Sequence, residues 1–347
     1  MKKLKITARQ VAIAAGVSPT TVSFVLNDVK DGNISEETRQ RVLEAARTLN
    51  YVPDIAARSL ARGRSNNIAL ILGQAHRQVF IDEYIPNILT GIRQAIQEPG
   101  YRILVEMIDD GAPPETYTRL FQGKEVAGMI VNLNQPTARD IQNITYCTAQ
   151  GYPLVALDLF PDVYGVQVDK MDGVRQVVRH LIGLGHQRIA CITFAPEHHP
   201  HSDERVVTFR KALEAAGLVL DPSLLRYGSY DPETGYEAMK SLIAEHVGAL
   251  PTAVFGMNDM MAFGAIKALN EHGLRIPQDI AVVGFDDVRL AGFATPPLTT
   301  VYEPDVDHGR LAGEMLVQLI NGEVPPQKHI NLESRLVVRE SCGASLR

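Results

Sequence analysis

The sequence contains no tryptophan and only three cysteines in 347 residues. Cys147, Cys191 and Cys342 are odd in number and widely separated. This pattern excludes a disulfide framework and does not match the spacing of metal ligands. We expect buried, reduced thiols, as in a cytoplasmic protein, and neither a metal ion nor another cofactor.

Long apolar stretches are also missing. No run approaches the roughly 20 residues that a membrane-spanning helix requires. The basic start of the chain, residues 1–5, leads into a polar amphipathic segment rather than into the apolar core of a signal peptide. These features predict a cytoplasmic protein with no membrane partner.

Positive charge is scarce overall, with a net charge of −6, but it is concentrated at the start of the chain. Residues 1–66 hold 11 Lys and Arg against 6 Asp and Glu, a balance of +5. The remaining residues hold 23 against 34, a balance of −11. Such asymmetry favours a nucleic-acid contact at the N-terminus, although a basic segment can also be merely solvated. The length itself predicts two or three domains.

Local signals predict a short first helix near the N-terminus. Thr7 and Gln10 have the spacing of a capping box, in which each side chain binds the amide of the other residue. The apolar residues Val11, Ala14 and Ala15 continue with helical spacing. Gly16 then suits the positive φ that a tight turn requires.

A second helix is predicted to begin at Ser18, with Pro19 at the first helical position, where its missing amide costs little. A third helix runs from the cap Ser35 to about Leu49. Two short helices joined by a glycine turn are typical of a helix-turn-helix, whose second helix enters the DNA major groove. A three-helix bundle without a ligand is the alternative. The second helix leaves these residues facing outward: Thr20, Thr21, Ser23 and Phe24.

This region resembles the opening of the lactose/galactose repressor (LacI/GalR) family. The resemblance is carried by residues 7–27, 35–43 and 50–53, and it continues along almost the whole chain. It implies a homodimeric transcriptional regulator, most often a repressor in this family. Such a regulator binds a pseudo-palindromic DNA operator and responds to a small sugar-like effector. Activation rather than repression is the alternative within the family.

The resemblance also implies how the chain is divided. Residues 1–50 would form the helix-turn-helix domain, residues 51–66 a hinge helix, and residues 67–347 an effector-binding and dimerisation core. The fold class is therefore α plus α/β, with a core of two Rossmann-like lobes similar to type I periplasmic binding proteins. The chain ends without a leucine heptad, so we expect a dimer rather than a tetramer.

The family pattern predicts which residues contact DNA. Phe24 stands where the family often carries arginine, so an apolar contact with a thymine methyl group is expected there. The loop of residues 28–34 is slightly longer than is usual in the family. Both departures leave the operator sequence undetermined. The predicted contacts of the helix-turn-helix are Thr7, Ser18, Pro19, Thr20, Thr21, Ser23, Phe24 and Asn27.

The predicted hinge lies between Pro53, which stops the preceding helix, and Gly63, which can end a new one. An isolated helix of this length is marginal, so it would fold when it binds DNA. The resemblance implies that Leu60 is a wedge in the minor groove, with Ala57 beside it. Arg58 would contact phosphates. A flexible linker is the alternative.

From residue 67 onward, apolar runs alternate with helical segments, which predicts βαβ units and parallel sheets covered on both faces. The first series of predicted strands and helices spans residues 68–158, and the second spans residues 188–285. Neither a Gly-x-Gly-x-x-Gly motif after a strand nor a Walker motif occurs, so nucleotide binding is not supported.

Ligands of such sheets bind at the carboxyl ends of the strands, where this sequence places several polar residues. The resemblance matches Arg205, Asn258 and Asp286 to effector-contacting positions, and it places Tyr230 near an aromatic position that stacks on the effector. Each of these residues has a structural alternative, such as a helix cap. Asp286 with Asp287 could cap the following helix. The predicted effector contacts are Tyr84, Asn132, Asp158, Arg205, Tyr230, Asn258, Asp286 and Glu303.

Other functions receive less support. His198, His199, His201 and Asp203 lie close together, but a solvated loop explains them better than a metal site does. The sequence shows no nucleophile–base pattern, so we expect that the protein is not an enzyme. A solute-binding protein would share the core fold but would have no use for residues 1–65.

Overall fold

The computed structural model describes residues 6–26, 34–51, 65–73, 83–108, 113, 115–133, 136–193 and 200–344. The chain forms two compact units, Met1–Asn66 and Asn67–Arg347. The predictions for Asn27, Ala57, Arg58, Leu60, His198 and His199 fall outside the described residues.

The first unit contains the helices α1 (Ala8–Ala15), α2 (Pro19–Leu26) and α3 (Glu36–Thr48). Each begins at its predicted cap. The Thr7 amide donates to Gln10 Oε1 at 2.8 Å, and Gly16 closes α1 with a φ of 65°. Ser18 Oγ accepts from the Thr21 amide at 3.0 Å, and Ser35 caps α3 through the Thr38 amide. The predicted capping pattern is confirmed.

The core of this unit is small and aliphatic. Val11, Val22 and Val42, one from each helix, are fully buried. Of the apolar residues predicted at helical spacing in α1, Val11 and Ala15 are buried and Ala14 is exposed. Ala12 is buried as well. Val11, Ala12 and Ala15 form the buried face of the helix, and Ala14 lies at the edge of that face.

The second unit contains a six-stranded parallel sheet in the described part of the chain. Its strand order is β11-β5-β4-β3-β1-β2. Strand β4 ends at Ala156, and Asp158 lies in the bend that follows, where its carboxylate accepts a hydrogen bond from the next amide. The strands are β1 (Asn67–Gly73), β2 (Arg102–Ile108), β3 (Gly128–Leu133), β4 (Leu154–Ala156), β5 (Tyr164–Asp169) and β11 (His329–Glu333).

A second parallel sheet has the order β7-β6-β8-β9. An antiparallel pair, β10 with β12, adjoins it through bridges at Thr299 and Tyr302. The strands are β6 (Ile189–Thr193), β7 (Leu225–Tyr227), β8 (Ala253–Gly256), β9 (Ala281–Val283), β10 (Thr300–Tyr302) and β12 (Arg335–Val337). Parallel strands in two sheets confirm the predicted α/β core.

Helices cover both sheets of this unit. The helices are α4 (Tyr84–Ile96), α5 (Glu115–Gln122), α6 (Ala138–Ala149), α7 (Lys170–Gly183), α8 (Pro200–Ala215), α9 (Pro232–Glu245), α10 (Asp259–Glu271) and α11 (Asp305–Ile320). Helix α8 begins at Pro200, so His201 and Asp203 belong to a helix rather than to the predicted loop. Proline at the first helical position explains this start.

The chain passes between the two sheets at three places within the described residues. We call these places crossovers and each sheet with its helices a lobe. The first crossover joins β5 to α7 at Asp169, the second joins β10 to α11 at Glu303, and the third joins β11 to β12 at Ser334. Ser334 Oγ donates to the Asp169 carbonyl oxygen at 2.7 Å, which ties the first and third crossovers together.

Glycine allows α4 and α11 to pack closely against each other in the first lobe. A Cβ atom at Gly91 would overlap the backbone of Val306, and one at Gly309 would overlap the Ile88 carbonyl. Both glycines lie at this helix–helix contact, where their lack of a side chain lets the two backbones approach each other.

We predict that Gly91→Ala lowers the free energy of unfolding by about 1–3 kcal/mol, because the added methyl group forces two backbones apart. Gly183→Ala is the matched control: it also lies in a helix, but an added Cβ there meets nothing within 4 Å. The control should be neutral or stabilising by up to about 1 kcal/mol. Urea denaturation of both variants measures the difference, and equal stabilities would contradict the prediction.

Candidate functional site

The outer face of α2 carries the residues predicted to contact DNA. Thr20 is exposed, Thr21 and Ser23 are half-buried, and the Phe24 side chain is 37% exposed. The hydroxyl groups of Ser18 and Thr21 lie 2.9 Å apart at the start of the helix. The capping bonds therefore fix the end of the helix that a helix-turn-helix directs toward base edges.

The second unit places several predicted effector residues near the carboxyl ends of its strands. In the first lobe, Asn132 is buried near the end of β3, and Asp158 follows β4. The Leu159 amide donates to Asp158 Oδ1 at 2.7 Å. Burial raises the pKa of Asp158, while this bond and the nearby charge of Lys170 oppose the shift.

In the second lobe, Arg205 is only 6% exposed, so it is not a surface residue of its helix. Its Nη1 donates to the Met257 carbonyl at 2.9 Å, and its guanidinium lies 4.2 Å from the ring centre of Phe285. A buried guanidinium that is held in this way is oriented before any ligand arrives.

Asn258 joins two of the predicted positions. Its Oδ1 accepts from the Met261 amide at 2.8 Å, so it does cap α10, as the structural alternative states. Its Nδ2 donates to the Tyr230 carbonyl at 3.0 Å. Tyr230 itself has a φ of 64°, an unusual conformation for a residue with a side chain. Asn258 therefore caps α10 and is also one of the predicted effector contacts.

Asp286 lies on a loop with an uncommon backbone, since its φ is 110° and that of Asp287 is 51°. The alternative that these two residues cap the following helix is wrong. The next element is a short 3₁₀ helix, Arg289–Phe293, whose capping position is Val288. Asp287 instead accepts from Arg339 Nη2 at 2.6 Å.

Asp259 stabilises this loop through hydrogen bonds, a role that the sequence did not suggest. It is fully buried, its Oδ1 accepts from the Thr300 hydroxyl at 2.6 Å, and its Oδ2 accepts from the Val288 amide at 2.9 Å. Burial raises the pKa of Asp259 to about 7, and the charge of Asp287 adds to the shift. Asn258 and Asp259 both follow the end of β8, but the sequence analysis assigned a role only to Asn258.

A further group forms around Lys170, which the sequence also did not suggest. Its Nζ lies 3.4 Å from Oε2 of the buried Glu303 and 5.0 Å from the ring centre of Tyr84. Its charge also acts on Asp158. Three predicted effector residues from separate parts of the chain therefore converge on one ammonium group.

Buried His308 lies beside this group. Its Nε2 is 2.8 Å from the Val166 carbonyl oxygen. Burial lowers the pKa of His308 to about 4, so the ring is neutral near pH 7. Among the residues that the structure describes, no cluster of side chains has the arrangement of a metal site. The three cysteines are buried and free, as expected.

Two protein-family models match the chain. Residues 7–54 match the model described as bacterial regulatory proteins, lacI family, and residues 178–342 match a periplasmic binding protein-like domain. The transcriptional regulator CelR of Thermobifida fusca is 34% identical over 340 residues, which cover 96% of this chain and 98% of CelR. The chain belongs to the LacI family of bacterial regulatory proteins.

Other relatives agree with this assignment. The transcriptional repressor PurR of Haemophilus influenzae is 32% identical over 346 residues and matches over 98% of this chain and 99% of its own length. The resemblance found in the sequence is confirmed, and the chain is a DNA-binding transcriptional regulator. No helix in the described part of the chain is long and apolar enough to cross a membrane.

Solved structures of LacI-family proteins share the fold. A Lac repressor dimer bound to operator and an anti-inducer superposes with a TM-score of 0.83 at 29% identity, covering 98% of this chain and 99% of the repressor. A complex of CelR with cellobiose gives a TM-score of 0.69 at 32% identity, covering 97% and 99%. The predicted fold class is confirmed.

The raised pKa of Asp259 predicts a specific dependence of stability on pH. Because the folded pKa of about 7 lies above the unfolded value of 3.8, the stabilising contribution is greatest below about pH 4. It is lost as the pH rises through 7. Wild type should therefore lose free energy of unfolding relative to Asp259→Asn, which cannot ionise, as the pH rises from about 5 to 8.

Asp162→Asn is the control for this prediction, because Asp162 is exposed at the surface near Lys328. Its difference from wild type should stay constant over the same interval. Denaturant titrations at several pH values measure both differences. Parallel pH curves for wild type and Asp259→Asn would contradict the prediction.

Proposed function

We propose that the protein is a homodimeric repressor whose binding to an operator is controlled by a small sugar-like effector. One observation carries this proposal: the same chain combines two capped helices that expose a hydroxyl-rich face with a two-lobed core that places polar residues at strand ends. A regulator needs both parts, a DNA reader and a sensor.

Each protomer of the dimer would insert α2 into one half-site, which matches the two-fold symmetry of a palindromic operator. Hydroxyl groups of Thr20, Thr21 and Ser23 reach base edges or phosphates, and Phe24 contacts a thymine methyl group. The hinge would insert Leu60 into the minor groove between base pairs. Binding of a Lac repressor dimer to its operator, in a relative with the same fold, supports this arrangement.

The effector would bind at the carboxyl ends of the strands of both lobes. Arg205 and Asn258 supply donors, Asp158 and Asp286 supply acceptors, and such groups together suit the hydroxyl groups of a sugar. Tyr84 and Tyr230 would provide aromatic faces, and Asn132 and Glu303 further polar atoms. The relative CelR has been solved with cellobiose, which supports a sugar or sugar derivative.

Control would operate through the crossovers. A ligand that binds one arrangement of the lobes better than another shifts their equilibrium and thereby changes operator affinity. Coupling of this kind is commonly about 1–3 kcal/mol, or about 5- to 150-fold in affinity. Activation instead of repression would use the same chain, and the position of the operator at the promoter distinguishes the two.

Other classes of function are less well supported. A solute-binding protein has no use for the capped helices of the first unit. We also propose that the protein is not an enzyme, because its relatives are regulators. As a regulator of bacterial genes it would work in the cytoplasm, where its three free thiols stay reduced.

Selection from random DNA followed by sequencing tests the function directly. Wild type should enrich one pseudo-palindromic sequence, and enrichment of none would contradict the proposal. With that operator, Leu60→Ala should weaken binding by about tenfold or more, because without the wedge the duplex is not bent to contact as much protein surface. Val219→Ala, which shortens an exposed aliphatic side chain of the second unit, is the control. Equal operator affinity of Leu60→Ala and wild type would exclude the wedge.

Asp286→Ala tests the ligand cleft. Operator binding without ligand should be unchanged, but the response to ligand should be lost, because the variant removes an acceptor from the cleft. Cellobiose and a panel of other neutral sugars serve as probes in a fluorescence anisotropy assay with the selected operator. Asp162→Ala, a surface change, should respond as wild type does. A normal response of Asp286→Ala would remove Asp286 from the effector site.

A further inference from the structure

Lys170 occupies a particular position in the fold, since it is the first residue of α7 and directly follows the first crossover. Its side chain is 33% exposed, and its Nζ lies 3.4 Å from Glu303 at the second crossover. The ring of Tyr84, at the start of α4 in the first lobe, lies 5.0 Å away. One flexible cation therefore contacts two crossovers and a residue of the proposed effector site.

Glu303 is poorly satisfied in this arrangement. The distance of 3.4 Å to Lys170 is longer than that of a good ammonium–carboxylate hydrogen bond. Its other oxygen, Oε1, is buried without a hydrogen-bond partner among the described residues. A buried carboxylate in this condition is unfavourable, so a movement that brings Lys170 closer to Glu303 would be stabilising.

The position of Lys170 is therefore set by competition. Glu303 attracts its ammonium group toward the second crossover, whereas the ring of Tyr84 and the carboxylate of Asp158 attract it toward the cleft. A ligand that stacks on Tyr84 or binds Asp158 changes this competition. The Lys170–Glu303 pair then tightens or loosens with the occupancy of the cleft.

The pair adds to the contacts that link the crossovers. Ser334 Oγ already donates to the Asp169 carbonyl oxygen at 2.7 Å, which links the first and third crossovers. Gln176 strengthens this link, because its side chain binds both the Ser334 carbonyl, at 3.0 Å, and the Leu336 amide, at 2.8 Å. Pairing of Tyr302 with Arg335 between β10 and β12 links the second and third crossovers. The ion pair of Lys170 with Glu303 adds a side-chain link from the first crossover to the second.

We propose that Lys170 is a positioning residue that transmits occupancy of the effector cleft to the crossovers through its ion pair with Glu303. This inference rests on the proposed function, because it concerns the control of operator binding. The ammonium group selects between two arrangements of the crossovers and need not take part in ligand recognition.

The test compares Lys170→Met, Glu303→Gln, their double variant and Lys170→Arg. Lys240→Met is the matched control, because Lys240 also lies over a tyrosine ring, at 5.7 Å from the centre of Tyr236, and pairs with Glu237 at 3.5 Å. Affinity of each ligand-free protein is measured by fluorescence anisotropy for the DNA that wild type selects. Amide hydrogen exchange is measured on the same proteins without DNA.

Both single variants should change operator affinity in the same direction, by about fivefold or more. The double variant should change operator affinity no further than either single variant. Operator affinity of Lys170→Arg should stay near that of wild type, and Lys240→Met should leave it unchanged. Amides of residues 168–172 and 301–305 should exchange faster in Lys170→Met, whereas those of residues 232–271 should not. A purely structural role would lower stability without this pattern.

Unchanged operator affinity in Lys170→Met, or additive effects of the two single substitutions, would overturn the inference. If wild type selects no DNA sequence, the proposed function fails, and the exchange experiment still decides about Lys170. Equal exchange of residues 168–172 and 301–305 in wild type and Lys170→Met would then overturn the role of Lys170 at the crossovers.

Discussion

The core of this protein is constrained by the passage of one chain between two parallel sheets at three neighbouring places. Each sheet can be buried by its own helices, but the connecting backbone must pass between the lobes with its polar groups satisfied. Ser334 meets this requirement with the Asp169 carbonyl, and Gln176 with the Ser334 carbonyl and the Leu336 amide. These bonds fix the geometry on which any rearrangement of the lobes depends.

Buried carboxyl groups also lie near the predicted effector residues. A buried carboxylate costs free energy unless it is paired or accepts hydrogen bonds. Asp259 is retained because its two oxygens hold Thr300 and the Val288 amide, which in turn hold a loop with two left-handed residues. Backbone strain of this kind persists where the surroundings enforce it, which is common at binding sites.

In the first unit, hydrogen bonds between neighbouring residues matter more relative to the apolar core than they do in the second unit. Its core consists of a few valine and alanine side chains, so hydrogen bonds at the helix ends carry a larger share of its organisation. The bonds of Thr7, Ser18 and Ser35 define where the three helices begin. Because Ser18 both caps α2 and lies at its exposed end, the same residue sets the position and the chemistry of the predicted DNA-reading surface.

The amino-acid sequence by itself determined the features that depend on neighbouring residues. Caps such as Thr7 with Gln10 and apolar strands such as Ala253–Gly256 are local patterns, and the family motifs of residues 7–27 are contiguous. Strand-end polar residues such as Asn258 were also predictable, because parallel strands present their carboxyl ends at a common edge.

The tertiary structure decided what depends on distant segments. The places of strands β5 and β11 in the first sheet follow from their pairing with each other and from that of β5 with β4. The roles of Asp259 and Lys170 have the same origin, because each contacts groups from other segments of the chain. A local pattern carries no information about such contacts, since the free energy that selects them comes from burial and pairing in the folded chain.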